Sequence, residues 1–407
     1  MNDFVTIGTT LLLSLFLSFA MKKAKLPQVI GHLLIGVVLG ISGLQFFTET
    51  QLSYLQFIPE LSMGMIGFMI GWELRWARLK KVGISILSIT LFESILASLA
   101  VFIAIYLWTK NLPFSLIMGA LAAATAPGGT TNIIQQYRAR GPLTTTLFGV
   151  IGADDAFAIM IYAVLSNISK VLLSGTAMHA GSIITTSATE IGGSLLVGIA
   201  MGIPFLFFMD RFKDEDSRFI FTFASIMICS GLALTYHLSL ILANMALGIT
   251  ISNIKPHKSK PFFLTLFKIS PMIYILFFVI VGAKLNLALL PKIGVIGCLY
   301  ILFRIFGKVT GAYIGATLAK APITVKNNLG ICLLSQAGVA IGLAISAQHE
   351  INLLSSKLPE SAILVAGYPM GNLIINVVTT STLVFQVIGP ILTKRGLEKA
   401  GEIRQPD

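Results

Sequence analysis

Charge is what this chain of 407 residues has least of, with Asp, Glu, Lys and Arg together making only 11%. A soluble domain carries roughly 25%, so an ordinary cytosolic enzyme is excluded. With 55% of residues in the set AVILMFWYC and a mean hydropathy of +0.87, a disordered or collagen-like chain is excluded too. Cysteine is scarce as well. Cys229, Cys298 and Cys332 all fall inside apolar runs and give neither a disulfide framework nor a metal-ligand spacing. Of the five histidines only His32 lies inside an apolar run, where a hydrogen-bonded core residue is the expected reading. The net charge of +12 is not a nucleic-acid footprint, because the basic residues sit in short clusters between long apolar stretches. That is the cytoplasmic bias of an inner-membrane protein.

A spanning helix needs about 20 mostly apolar residues. Counting such runs gives about thirteen: 4–20, 27–44, 55–73, 82–108, 113–137, 143–165, 186–209, 219–236, 238–254, 263–281, 293–318, 329–347 and 361–392. The expected fold class is therefore an all-α polytopic membrane protein. The first run is read as a retained helix rather than a signal peptide. Asp3 precedes it, Lys22, Lys23 and Lys25 follow it, and no small-x-small cleavage site is present. The short polar stretch after Thr393 is too small for a nucleotide-binding module.

Basic residues set the expected orientation. Loops after odd-numbered runs hold 21 Lys and Arg, whereas the alternate loops hold only Lys110, Lys170, Lys284, Lys292 and Lys357. The N-terminus is thus expected outside and the C-terminus in the cytoplasm of a multi-pass plasma-membrane protein. Runs four to six and eleven to thirteen form two triplets that enter the membrane from opposite sides. The middle member of each contains a breaker cluster, Thr125-Ala126-Pro127-Gly128-Gly129-Thr130-Thr131 in one and Ser335-Gln336-Ala337-Gly338 in the other. Interrupted segments at matching places in inverted halves point to a transporter's binding site near the midplane. Two broken, crossing helices are the expectation.

Asp154 and Asp155 stand near the centre of the sixth run. A central acid opposes insertion by roughly 2.5–3.5 kcal/mol, so the pair requires a polar cavity or a counter-charge. Successive helical residues point about 100° apart, so the two carboxylates serve different faces. Lys308 lies in the interior of run 293–318, too deep to snorkel, and needs an anion. Arg304 is one turn earlier on the same face and reads as a structural ion-pair partner. Either base could also pair with Glu93, midway along the fourth run. The break at 125–132 offers oxygen ligands suited to a hard cation, namely free carbonyls, the hydroxyls of Thr130 and Thr131 and the Asn132 amide. Gln336 could contribute in the same way or bond to its own broken helix. Glu60, Glu73, Glu190 and Lys268 read as interfacial charges or local ion pairs.

At this point the chain resembles the monovalent cation:proton antiporters, in the branch of bacterial sodium/proton exchangers of the NapA and NhaA type. The resemblance is carried by Pro27-Gln28-Val29-Ile30-Gly31-His32, Gly71-Trp72-Glu73, Arg138-Ala139-Arg140-Gly141-Pro142-Leu143 and Gly152-Ala153-Asp154-Asp155. It continues through Ala243-Asn244-Met245-Ala246-Leu247-Gly248, Phe277-Phe278-Val279-Ile280-Val281-Gly282, Arg304 with Gly307-Lys308, and Gln336-Ala337-Gly338-Val339-Ala340-Ile341-Gly342. Each motif is weak alone; their order and spacing are specific. The resemblance implies an NhaA-like fold with inverted repeats. The core transport domain would comprise residues 81–170 and 292–395, with scaffold and dimerisation helices at 1–80 and 171–291 and a cytoplasmic tail at 396–407. It implies that Asp155 binds the cation, that Asp154 pairs with Lys308, and that the protein is a homodimer. Several relatives carry an acid in the first break, where this chain has Ala126.

The expected function is secondary-active exchange of protons for a monovalent cation, most directly sodium and with lithium as a second candidate, by elevator-type alternating access and with no cofactor. Its partners are then membrane lipid, the transported cation and protons, and a second copy of the chain. Potassium/proton exchange or potassium efflux is the alternative within the superfamily. An intramembrane aspartyl protease needs two facing carboxylates, which adjacent positions on one helix do not supply. An organic-anion symporter on a similar fold would not need the buried acid–lysine pair.

Overall fold

The computed structural model describes residues 3–24, 27–173, 180–355 and 363–403. Sixteen α-helices are present among the described residues. In chain order they are α1 (Asp3–Lys23), α2 (Gln28–Leu39), α3 (Glu49–Tyr54), α4 (Phe57–Glu73), α5 (Trp76–Thr109), α6 (Leu112–Ala122), α7 (Pro127–Gln136) and α8 (Pro142–Leu173). They continue with α9 (Ala180–Phe208), α10 (Glu215–Thr235), α11 (Leu240–Ile254), α12 (Pro256–Ala283), α13 (Leu290–Leu318), α14 (Ile323–Cys332), α15 (Gly338–Ser355) and α16 (Met370–Lys399). Eight are long and apolar enough to cross a membrane by length and composition, and α2, α6 and α11 are shorter apolar helices.

The two expected breaks are present and one further run changes shape. Runs 113–137 and 329–347 are each split into two half-helices, α6 with α7 and α14 with α15. Pro127 stands at the first position of α7, where its missing N–H is one that a helix start leaves unpaired anyway. The last run is not helical from its beginning. Leu364–Val365 pairs antiparallel with Tyr368–Pro369 around Ala366 and Gly367, both at positive φ, and α16 starts only at Met370. Residues 361 and 362 of that run lie outside the described residues.

The helices form two compact units, Met1–Leu15 with Ile35–Lys81 and Met178–Lys284, and Phe16–Leu34 with Val82–Ala177 and Leu285–Asp407. In the first, α11 is the central helix, packed by α4, α9, α10 and α12. Glycines make this approach possible. A Cβ at Gly71 would fall 2.0 Å from the Met245 carbonyl oxygen, and one at Gly248 would fall 2.3 Å from that of Phe68. Small residues of this kind drive helix association in lipid, where apolar burial gives little net attraction. Asn244 donates from Nδ2 to Ser230 Oγ at 2.9 Å, and Trp72 stacks on Phe263 while donating to Ser259. Lys268 and Glu215 form an exposed ion pair at 2.7 Å.

In the second unit α8 packs on α6, α14 and α15, and α16 packs on α13, α14 and α15. One glycine stripe determines where the charges meet. Gly307, Gly311 and Gly315 recur every four residues on α13, and Cβ atoms there would lie 2.6–2.8 Å from the Cα atoms of Ala97, Glu93 and Ile89, also four apart on α5. The two backbones therefore run in close contact, which brings Glu93 beside Lys308.

Candidate functional site

The two breaks cross. The Ala126 N–H donates to the Ser335 carbonyl at 2.9 Å, the Thr125 hydroxyl donates to the Leu333 carbonyl at 3.3 Å, and Thr130 Oγ1 donates to the Cys332 carbonyl at 3.0 Å. Each break leaves the carbonyls at the end of its first half-helix without intrahelical donors. These ends carry partial negative charge, and two buried cations meet them. Arg304 donates from Nε to the Ala122 carbonyl at 3.1 Å, from Nη2 to that of Ala124 at 2.7 Å and from Nη1 to that of Leu334 at 2.8 Å. Its guanidinium lies 4.5 Å from the Phe385 ring centroid.

This corrects the expectation of Arg304 as an ion-pair partner. Its donors are taken by backbone carbonyls of both breaks, and it binds α6 to α14. Lys308, with no exposed surface, donates to the Ala123 carbonyl and to Thr125 Oγ1 at 2.7 Å. Its ammonium lies 2.6 Å from Glu93 Oε2 and 3.4 Å from Asp154 Oδ2. Both acids weighed as its partner are thus in contact with it, Glu93 the closer. Ser94 stands between the two carboxylates, 2.9 Å from Asp154 Oδ1 and 3.2 Å from Glu93 Oε1. Glu93, Asp154, Arg304 and Lys308 are all buried to 0% exposure.

Asp155 stands on the next face of α8 and is half-buried, whereas Asp154 is sealed. The 100° step between neighbours thus separates the two acids into different surroundings. Thr131 is half-buried on α7. Asn132, Pro127, Gly128 and Gly129 belong to the first turns of α7, and their side chains lie outside the described residues. Thr130 is taken up by the crossing and also lies 3.4 Å from Thr393. Gln336 donates to the Leu121 carbonyl at 3.2 Å and to the Tyr300 hydroxyl at 2.9 Å, while its own carbonyl accepts from Gln386. It bonds to the other broken helix rather than to its own. Gly338 opens α15.

Sequence reasoning missed Thr125, Ser94 and Tyr300 as members of the cluster. The first two carried a signal, since Thr125 opens the breaker cluster and Ser94 adjoins the one acid of the fourth run. Tyr300 sits one turn before Arg304 on α13 and gave none.

Paired half-helices crossing beside a buried acid–base cluster define a polytopic membrane transporter. The profile of the transmembrane sodium/hydrogen exchanger family matches residues 8–397, and the chain belongs to that family of antiporters. The ammonium/H(+) antiporter subunit AmhT of Alkalihalophilus pseudofirmus is 23% identical over 361 residues, 87% of this chain and 89% of that protein. The Na(+)/H(+) antiporter NhaS5 of Synechocystis is 22% identical over 420 residues, and this chain spans only 55% of its length. Among solved structures, the sodium proton antiporter MjNhaP1 of Methanocaldococcus jannaschii has the same fold. Its TM-score is 0.79 over 98% of this chain and 99% of that one, at 19% identity.

Proposed function

We propose that the protein exchanges protons for a monovalent cation, sodium foremost and lithium at the same site, and that the exchange is electrogenic. The charge balance of the buried cluster carries the exchange, and its electrogenic character rests on a second proton taken up and released by the cluster beside Asp155. Arg304 and Lys308 offset Glu93 and Asp154, and Asp155 adds one further negative charge in the low-dielectric interior. One proton or one monovalent cation neutralises it, and the two compete. Oxygen ligands beside Asp155 come from the break, with Thr131 and Asn132 assigned as side-chain ligands. Thr130 and Gln336 hold the break itself, together with Pro127, Gly128, Gly129 and Gly338. Glu93, Asp154 and Lys308 couple proton movement to cation binding.

Alternating access is assigned to an elevator-type movement of the unit that carries the site, in a homodimer of the plasma membrane with its N-terminus outside. A second reading, ammonium or potassium as the cation, is favoured by the match to AmhT and by 25% identity over 293 residues to a putative K(+) efflux antiporter, KefB, of Alkalimonas amylolytica. Proteoliposomes with an internal pH dye, given sodium, lithium, potassium and ammonium in turn, separate the readings. Sodium-driven proton movement that Asp155→Asn abolishes in folded protein is the expected result. Near-normal exchange by Asp155→Asn would sink the site assignment, and a response to ammonium or potassium but not sodium would transfer the substrate to the second reading.

A further inference from the structure

Helix α8, which carries both aspartates, begins without a cap from its own sequence. Four N–H groups open every helix unpaired, and the usual remedy is a Ser, Thr, Asp or Asn just before the first turn. Here Gly141 has no side chain and Pro142 has no N–H to donate. The acceptor comes instead from Glu402, 258 positions from Thr144. Glu402 Oε1 accepts from the Leu143 N–H at 2.7 Å, and Oε2 accepts from the Thr144 N–H and the Thr144 hydroxyl, each at 2.7 Å. The Arg140 N–H donates to the Glu402 carbonyl at 3.1 Å. A Cβ at position 141 would fall 2.3 Å from Glu402 Cδ, so a larger residue there would have to displace the carboxylate.

Apolar packing surrounds the contact. Leu397 of α16, with Ala400 and Ile403 beyond it, packs in one cluster with Leu143 and Leu147 of α8, Val325 and Leu329 of α14 and Ile134 of α7. The carboxylate therefore fastens the start of α8 to the elements that form both breaks. Asp154 lies three turns further along α8, about 17 Å at 1.5 Å per residue. An axial slip of one residue, about 1.5 Å, is half the length of the contact between Asp154 and Ser94, now 2.9 Å, and would disturb it.

We propose that Glu402 is a positioning residue for cation exchange, setting the axial register of α8 so that Asp154 and Asp155 stand correctly at the break. This rests on the reading of α8 as the transport helix. The test uses the full chain in proteoliposomes with sodium, or with whichever cation the wild type exchanges, and rates normalised to folded protein. A misplacement of order 1 Å can cost up to a hundredfold in rate, so Glu402→Ala and Gly141→Ala are each expected to raise the apparent KM for the cation about fivefold or more. Glu402→Ala removes the carboxylate and Gly141→Ala displaces it, so with Glu402 gone there is no carboxylate left to displace and the double variant is expected to be little worse than Glu402→Ala. Glu402→Gln, which retains one acceptor oxygen, is expected to fall between wild type and Glu402→Ala and serves if Glu402→Ala does not fold. Folded variants with a KM within about twofold of wild type, or singles that add independently in the double, would overturn the proposal. An inactive wild type would fail the functional reading instead, which keeps the two failures distinct.

Discussion

Replacing Arg304 by leucine tests whether one side chain holds the two breaks together. The substitution keeps bulk and removes the donors to the carbonyls of Ala122, Ala124 and Leu334. A buried polar group left without its partner costs about 1–3 kcal/mol, so three such carbonyls cost roughly 3–9 kcal/mol. Loss of the contact with the Phe385 ring adds about 0.5–2 kcal/mol. Against a total stability of about 5–15 kcal/mol the protein is left close to its unfolding threshold. At about 2 °C per kcal/mol the detergent-solubilised protein should melt roughly 7–22 °C lower. Arg304→Lys keeps the charge but loses the planar fork that reaches three acceptors at once, and should fall between wild type and leucine. Thermal unfolding followed by tryptophan fluorescence, with monodispersity after heating as a second readout, measures this. A leucine variant melting within about 2 °C of wild type would show that the carbonyls find other donors and that Arg304 does not close the crossing.

Two further outcomes follow from packing and assembly. Gly311→Val places side-chain atoms where the Glu93 backbone now lies, its Cβ only 2.6 Å from Glu93 Cα; overpacking of this kind costs about 1–3 kcal/mol and should separate Glu93 from Lys308. Exchange should fall more steeply in that variant than the amount of folded protein does, and a folded variant with wild-type exchange would refute the role given to the α5–α13 contact. Native mass spectrometry in gentle detergent should show a homodimer, and a monomer across all detergents and added lipids would count against the assembly.

What the sequence made legible was the part written in residue types that lipid tolerates poorly. Asp154, Asp155 and Lys308 declare themselves by their cost in an apolar run, and the clusters at 125–131 and 335–338 declare the breaks. What stayed hidden was the set of partners. Arg304 was read as half of an ion pair because a sequence displays side-chain charge and not the free carbonyls at a broken helix end. The closeness of Glu93 to Lys308 was encoded in Gly307, Gly311 and Gly315, but a glycine stripe names no partner until α5 is seen lying on it. Thr130 offered an oxygen that suits a cation, and the crossing of the helices engages it with the Cys332 carbonyl. Glu402 sat in what reads as a solvated tail, and a cap delivered across 258 positions leaves no local pattern.

The contact between Glu93 and Lys308 changes how a second proton must be carried. Had Lys308 faced Asp154 alone, cation binding could strip the lysine of its only counter-charge and so of its proton. With Glu93 2.6 Å from the ammonium, Lys308 keeps a partner when Asp154 turns away. Arg304 is engaged by the carbonyls of the breaks, so in direct contact two carboxylates share one ammonium, and Ser94, within reach of both, has a single proton to donate. Glu93 is the acid that α5 holds in place, and it is expected to take up and release the second proton while Asp155 exchanges the first. The wild type should then move two protons per cation, and an imposed potential should drive transport at about 2.3 kcal/mol per net charge per 100 mV. Glu93→Gln removes the second carrier but leaves Asp155 and the Lys308–Asp154 contact, so exchange should persist one-for-one and lose its response to the potential. Uptake into proteoliposomes with a valinomycin-set potassium gradient reads both quantities. Wild-type uptake that ignores the potential, or a Glu93→Gln variant that still follows it, would remove Glu93 from the proton path.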